Sequence, residues 1–205
     1  MRADTQFLRQ RGAALIEALV AILVLSVGLL GLVGLQTASV KYQQNSWARS
    51  AIATQVADIS DRIRANPGAG NTDYVYSVAY STERGNMANS STFTVSPDCG
   101  SATCTPAQLA TYDIKKWRSS LNSSIPGAVG YITGSRSSSY SITIAWLDKS
   151  RLDTNTTTAL EASKADLCST VAASNAAGLR NCCPDALFSS TALDGVRCIN
   201  FSLVP

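Results

Sequence analysis

Between Ala13 and Leu35 the chain runs for 23 residues with only two polar side chains, Glu17 and Ser26. Such a run leaves few choices of structure. As a helix it extends roughly 34 Å at about 1.5 Å per residue, which matches the hydrocarbon thickness of a bilayer. A helix also satisfies its own backbone polar groups in lipid, where an extended segment cannot. Arg2, Arg9 and Arg11 precede the run against one acid, Asp4, so the positive-inside rule holds the first residues in the cytoplasm and sends the remainder outward.

A secretory signal carries a small-residue cleavage site after a shorter apolar region. Here no A-x-A-like site follows the run, and Leu35-Gln36-Thr37 continues into a helical pattern. Two readings stand: an uncleaved signal anchor, or a cut on the cytoplasmic side, at Gly12–Ala13, that leaves the whole apolar helix on the mature chain. Glu17 bears on the choice. A carboxylate costs about 2.5–3.5 kcal/mol at mid-bilayer and less near the interface, so it marks a function with a partner. The next cation along the chain is Lys41. A cut after Gly12 would place a new α-amino group on Ala13, four residues before Glu17, where a neighbouring copy shifted along the axis could meet the carboxylate. The bland alternative is an interfacial glutamate favoured by the positive end of the helix dipole.

The rest of the chain is read as one head of 140 residues, 66–205, large enough to bury a core. Net charge is +3, of which the first twelve residues hold +2 (three arginines less one aspartate), so no electrostatic footprint for nucleic acid is present. Histidine is absent, which excludes imidazole-dependent triads and histidine zinc sites; no cofactor, metal or catalytic residue is expected. Six cysteines in an extracytoplasmic head read as disulfides. Cys99 and Cys104 could close a small loop. Adjacent Cys182 and Cys183 go to separate partners, so they pair with Cys168 and Cys198 in one of two ways.

Taken in order, Gly28, Gly31 and Gly34 recur inside the apolar run. They mark close helix packing, a segment poised to lose helicity, or ordinary glycine enrichment in membrane helices. Ile52, Val56, Ile59 and Ile63 then form one stripe of a helix, with Gln55, Asp58, Asp61 and Arg62 on other faces. Trp47, Ala48 and Ala51 extend the apolar side backwards. The stop is Asn66-Pro67-Gly68, since a residue before proline is pushed out of the α region. The spacing thus predicts a helix over 13–65, transmembrane over 13–35.

Tyr74–Tyr80 and Thr92–Val95 read as two short strands or extended loops. Thr105 is an N-cap before Pro106 at the first helical position. That helix continues to Ile125-Pro126-Gly127, with Leu109, Tyr112, Lys116 and Trp117 near one face and Trp117 in the core. Three strands follow: Val129–Thr133, Tyr140–Trp146 with one buried face, and Val196–Leu203 late in the same antiparallel sheet. Glu161–Ala173 is read as helical within the insertion 150–195.

Gly12-Ala13-Ala14-Leu15-Ile16-Glu17 resembles the class III signal of type IV prepilins: glycine before the cut, an apolar residue after it and glutamate at the fifth mature position. The family usually has phenylalanine where this chain has Ala13. Ser26–Gln36, the helix ending Arg62-Ile63-Arg64-Ala65-Asn66-Pro67 and the Asp113–Trp117 helix resemble PilV-type minor pilins, and the resemblance extends to about Asp148. It implies an α+β type IV pilin-like fold, a long N-terminal helix on an antiparallel sheet with a disulfide-bearing C-terminal region. The implied domains are a leader at 1–12, the helix at 13–65 and a periplasmic head at 66–205. It further implies cleavage by the prepilin peptidase between Gly12 and Ala13, N-methylation of Ala13, subunit assembly through Glu17, and helix flexibility at Gly28, Gly31 and Gly34. The implied place is the inner membrane, with the N-terminus cytoplasmic, and then the pilus. The partners are other minor pilins, the major pilin, the assembly platform and a tip adhesin, in a role supporting pilus assembly, adhesion and twitching motility. A minor pseudopilin of a type II secretion system is the alternative, argued against by the Arg62–Pro67 ending. A periplasmic hydrolase lacks the motifs it would need.

Overall fold

The computed structural model describes residues 5–88, 93–148, 167–188 and 195–205. Helix α1 covers Thr5–Ala65. Its residues divide between two compact units, Met1–Arg49 and Ser50–Pro205, which are taken separately. Within the first, Ala14–Thr37 is a 24-residue segment long and apolar enough to cross a membrane, and none of it is buried. Trp47, expected on the apolar side, is 56% exposed.

The second unit is built on a three-stranded antiparallel sheet in the order β1-β2-β3, with β1 at Val129–Ser135, β2 at Ser139–Leu147 and β3 at Val196–Leu203. The register pairs Ile132 with Ile142 across β1 and β2, and Ile144 with Ile199 across β2 and β3. The hairpin between β1 and β2 closes on Gly134, whose positive φ of 95° is available to glycine, and an added Cβ there would stand 2.2 Å from the Ser139 carbonyl oxygen. Beyond β1 the sheet is extended by a single antiparallel bridge from Tyr76 to Ile132.

On one face of the sheet lies the larger core. Ile132, Tyr140, Ile142, Ile144 and Leu203 meet Ile52, Ile59 and Ile63 of α1 and Ala110, Ile114, Trp117 and Leu121 of helix α3, Pro106–Ser124. Helix α3 begins as its sequence dictates: Thr105 Oγ1 accepts from Gln108 N, the Gln108 side chain accepts from Thr105 N, and Pro106 opens the first turn. Its buried face is Ala110, Asp113, Ile114, Trp117, Arg118 and Leu121. The expected face containing Leu109, Tyr112 and Lys116 is rotated away; Lys116 is exposed, because two charged residues, Asp113 and Arg118, find partners inside and take core positions that periodicity assigns to apolar ones. Gln55, expected on a polar face, is also buried. Its Nε2 donates to Ser120 Oγ and Ser124 Oγ, both at 3.0 Å.

The opposite face of the sheet is covered as well. Val129, Tyr131, Ala145, Val196 and Cys198 pack with Tyr80, Met87, Cys183 and Leu187. The reading of a single buried face on β2 is therefore corrected: Thr143 and Ala145, small enough to look solvent-facing, are buried under the cysteine-rich segment. Helix α2, Tyr80–Met87, replaces the end of the expected extended segment at Tyr74–Tyr80. Phe93, Thr94 and Val95 lie outside any strand, while Thr92 is outside the described residues. Of the helix expected at Glu161–Ala173, residues 161–166 are likewise outside; Cys168–Thr170 forms a short 3-10 turn, and the helix of this region is α4, Ala176–Asn181.

Trp117 is the pivot of the larger core. It is fully buried, and its Nε1 donates to the Gln55 carbonyl at 2.9 Å. A Cβ on Gly130 would sit 2.3 Å from Trp117 Cη2, so β1 approaches the ring only because this residue has no side chain. Gly130→Ala is expected to destabilise the head by about 1–3 kcal/mol through overpacking. Denaturant titration of the head's circular dichroism, with Trp117→Leu as the second arm of a double-mutant cycle, measures it; additivity of the two changes would contradict the contact.

Candidate functional site

The residues that carry chemistry in the prepilin-like reading all lie in the first unit. Gly12 and Ala13 belong to the helical backbone of α1, and their side-chain environment is outside the described residues. Glu17 is exposed. Added Cβ atoms at Gly28, Gly31 and Gly34 would meet nothing within 4 Å among the described residues. Ser26 Oγ returns to the Leu23 carbonyl at 2.7 Å and Thr37 Oγ1 to the Val33 carbonyl at 2.9 Å, so both hydroxyls are satisfied inside the helix, as an apolar medium demands.

The second unit holds the other end of α1. Helix termini leave carbonyls without intrahelical partners, and here side chains from two other segments reach them. Arg136, on the β1–β2 hairpin, donates through one terminal nitrogen to the Ile63 and Asn66 carbonyls at 3.0 and 2.9 Å. Tyr74 Oη approaches the Arg62 carbonyl at 3.3 Å and donates to Asp113 Oδ2 at 2.7 Å. Asn66 Nδ2 donates to the Pro106 carbonyl at 2.8 Å and to Tyr74 Oη at 3.2 Å. Arg62 bridges Asp58 Oδ1 at 3.0 Å and Asp113 Oδ1 at 3.1 Å. Burial alone would lower the Arg62 pKa, but the two carboxylates outweigh it and hold it raised. The Arg62–Pro67 phrase thus has a physical content: Asn66 is buried and ties the helix end to the start of α3.

A second polar cluster went unseen in the sequence. Glu83 of α2 and Arg118 of α3 form a buried bidentate pair, Nε to Oε1 at 2.5 Å and Nη2 to Oε2 at 2.7 Å. Tyr76 Oη donates to the same carboxylate at 2.5 Å. The guanidinium carbon lies 4.3 Å from the Tyr76 ring centre and 5.6 Å from that of Phe93, within cation–π range. The pair joins residues 35 apart on two different helices, so no local spacing announces it. Its site is closed rather than open to a substrate, and its role is to seat α2.

The cysteines close as Cys99–Cys104, Cys168–Cys182 and Cys183–Cys198. Neighbouring Cys182 and Cys183 thereby tie α4 to the 3-10 turn on one side and to β3 on the other. Asn200 of β3 sits at this junction: Thr143 Oγ1 donates to its Oδ1 at 2.7 Å, and its Nδ2 donates to the Leu179 and Cys182 carbonyls, both at 2.8 Å. Among the described residues no group of acidic, cysteine or histidine side chains could hold a metal ion.

Two outcomes follow from these clusters. Arg118→Met leaves Glu83 buried without its partner and is expected to cost about 3–5 kcal/mol, whereas Arg118→Met with Glu83→Leu recovers most of that; thermal unfolding of the head separates the cases. The second concerns alkali. Burial, and then the hydrogen bond to a carboxylate, raises the pKa of Tyr74 through Asp113 and of Tyr76 through Glu83. The folded state then keeps protons that the unfolded chain releases above the ordinary value of 10.0. Their contribution is complete below that pH and declines as pH rises, by at most about 1.4 kcal/mol per pH unit for each group. Melting temperature should fall from about pH 10 upward, and Tyr74→Phe should flatten that decline; an unchanged slope in the variant would remove Tyr74 from the account.

Residues 34–115 match the family model Tt1218-like, described as type IV pilin Tt1218. No curated protein and no solved structure matches the chain. The matched segment begins at the last glycine of the apolar run and ends in the middle of α3, so it includes the head-bound part of α1, the Asn66 junction and α2. An apolar N-terminal helix, further helices on a three-stranded antiparallel sheet and disulfides near the C-terminus are consistent with a type IV pilin fold. The match and the fold together make the chain similar to type IV pilins, with an N-terminal helix long and apolar enough to anchor it in a membrane.

Proposed function

We propose that the chain is a PilV-type minor pilin, which enters the inner membrane with its N-terminus in the cytoplasm and is later incorporated at or near the tip of a type IV pilus. The observation that carries this reading is the order of parts in one helix. Gly12 and Ala13 stand directly before the exposed span Ala14–Thr37, Glu17 lies in its first turn, and a pilin match begins inside the same apolar run. Prepilin peptidase cuts after Gly12, and Ala13 becomes the methylated N-terminus. Glu17 accepts an amine from a neighbouring subunit, and Gly28, Gly31 and Gly34 let the span adapt as it leaves lipid. Other minor pilins, the major pilin and the assembly platform are the partners, and a tip adhesin is carried on the assembled complex. Through them the chain supports pilus biogenesis, adhesion and twitching motility.

Intact-mass and N-terminal peptide spectrometry of the membrane-extracted protein is expected to find a chain beginning at Ala13. A chain retaining Met1, or one cut beyond Leu35, would sink the reading. Glu17→Ala should leave membrane insertion intact and lower incorporation into sheared filaments by about tenfold or more, the equivalent of one lost charged interaction near 1.4 kcal/mol. Equal incorporation would take Glu17 out of the mechanism.

A further inference from the structure

The three disulfides stand in unequal surroundings. Cys182, Cys183 and Cys198 are 2%, 1% and 2% exposed, so Cys183–Cys198 is sealed at both ends and Cys168–Cys182 at one. Cys99 and Cys104 are both half-buried, and Gly100, Ser101, Ala102 and Thr103 between them are exposed. Thiol–disulfide exchange requires a thiolate to reach a sulfur atom. The Cys99–Cys104 bridge is bordered by exposed loop on that approach, whereas Cys183–Cys198 is packed on the sheet.

Opening this bridge also disturbs the fold least. Its cysteines are 5 residues apart, against 14 and 15 in the other two pairs. A cross-link stabilises a fold by restricting the unfolded chain, and closure probability falls as about the 3/2 power of loop length, so this bridge contributes about fivefold less to the folding equilibrium than either longer one. The backbone on both sides has bonds of its own. Thr105 and Gln108 close the start of α3 through the capping box. Asp98 shapes the loop: its Oδ1 accepts from Gly100 N at 3.1 Å, and its carbonyl accepts from Ser101 N at 3.0 Å and Ala102 N at 2.9 Å. Gly100 lies against α3, where an added Cβ would stand 3.0 Å from the Tyr112 hydroxyl oxygen. Lys115 Nζ donates to the Thr94 carbonyl at 2.8 Å and holds the incoming chain. With the bridge cut, these contacts keep Cys99 beside Cys104, and two thiols are left poised to close again.

We infer that Cys99–Cys104 is an exchangeable disulfide, opened and closed on the folded head by an external dithiol of the thiol-oxidoreductase kind, while Cys168–Cys182 and Cys183–Cys198 stay closed. A thiolate of that dithiol attacks one bridge sulfur. A mixed disulfide forms, the Cys99–Cys104 bond breaks, and the departing thiolate takes up a proton. The second external thiol, losing its proton, attacks the external sulfur of the mixed disulfide; the external disulfide forms and the other protein sulfur leaves as a thiol. Two electrons pass to the protein, the dithiol is oxidised, and the reverse sequence restores the bridge. The inference concerns the head alone and holds for any chain whose head lies outside the cytoplasm, pilin or not.

The test exposes the detergent-solubilised full chain to glutathione buffers graded from oxidising to reducing. Free thiols are blocked with a light alkylating reagent, the remaining cysteines are reduced and labelled with a heavy one, and the peptides are mapped. Cys99 and Cys104 should open at least about tenfold faster than the other cysteines, with the near-ultraviolet circular dichroism of the head unchanged, and should close again in oxidised glutathione. Opening of either other bridge first or at the same rate, opening only with loss of the near-ultraviolet signal, or no opening in fully reducing buffer would each overturn the inference. Asp98→Ala should slow re-closure about fivefold, the equivalent of one lost hydrogen bond. Asp98→Asn, whose Oδ1 still accepts from Gly100 N, should keep the rate. Equal re-closure in both variants and the parent chain would overturn the poised loop.

Discussion

The head depends on how the last turns of α1 are gripped. Ile52, Ile59 and Ile63 supply burial, but burial is non-directional and would tolerate a helix that slid or rolled. The indole of Trp117 removes that freedom by donating to the Gln55 carbonyl in the middle of the buried stretch, with its ring set against Gly130 of β1. One side chain thus fixes the distance between α1, α3 and the sheet. The Gln55 side chain is held in turn by two serines of α3, although its Oε1 is buried without a partner, a cost of about 1–3 kcal/mol accepted within the same contact.

The parts of this fold legible in the sequence are those governed by local rules. Thr105-Pro106 reads as a helix start because capping is decided within four residues, and β3 reads as Val196–Leu203 because alternation is decided within eight. The parts that were not legible depend on partners distant in the chain. In Ser81-Thr82-Glu83-Arg84-Gly85-Asn86 only Glu83 and Arg84 favour a helix, while glycine, serine, threonine and asparagine argue against one. The segment becomes α2 through the pairing of Glu83 with Arg118. Periodicity misplaced the buried face of α3 for the same reason: a pattern rule counts aspartate and arginine as outward, and Asp113 and Arg118 are inward because each meets its counter-charge there. Trp47 is the converse case, a large apolar residue counted as inward that stands exposed.

Of the residues proposed to carry chemistry, Gly12, Ala13 and Glu17 stand out in the sequence as a short linear motif, the kind of pattern a processing peptidase would read. The clamp at the end of α1 was legible only as a phrase, Arg62–Pro67, without its reason. That reason needs Tyr74, Asp113 and Arg136, drawn from three places in the chain. The two-sided sheet was hidden as well. Thr143 and Ala145 are small and look solvent-facing, and only the cysteine-rich segment, stitched down by Cys183–Cys198 and Asn200, makes them interior.

Arg136 also sets a mechanical property. Part of any load on α1 reaches the sheet at the helix end, where the Ile63 and Asn66 carbonyls are bonded to a side chain at the tip of the β1–β2 hairpin. From there the load passes into β1 and β2, paired along seven consecutive positions, and on through β3 to a disulfide at Cys198. Tension at that helix end is thus shared across a sheet that ends in a covalent bond.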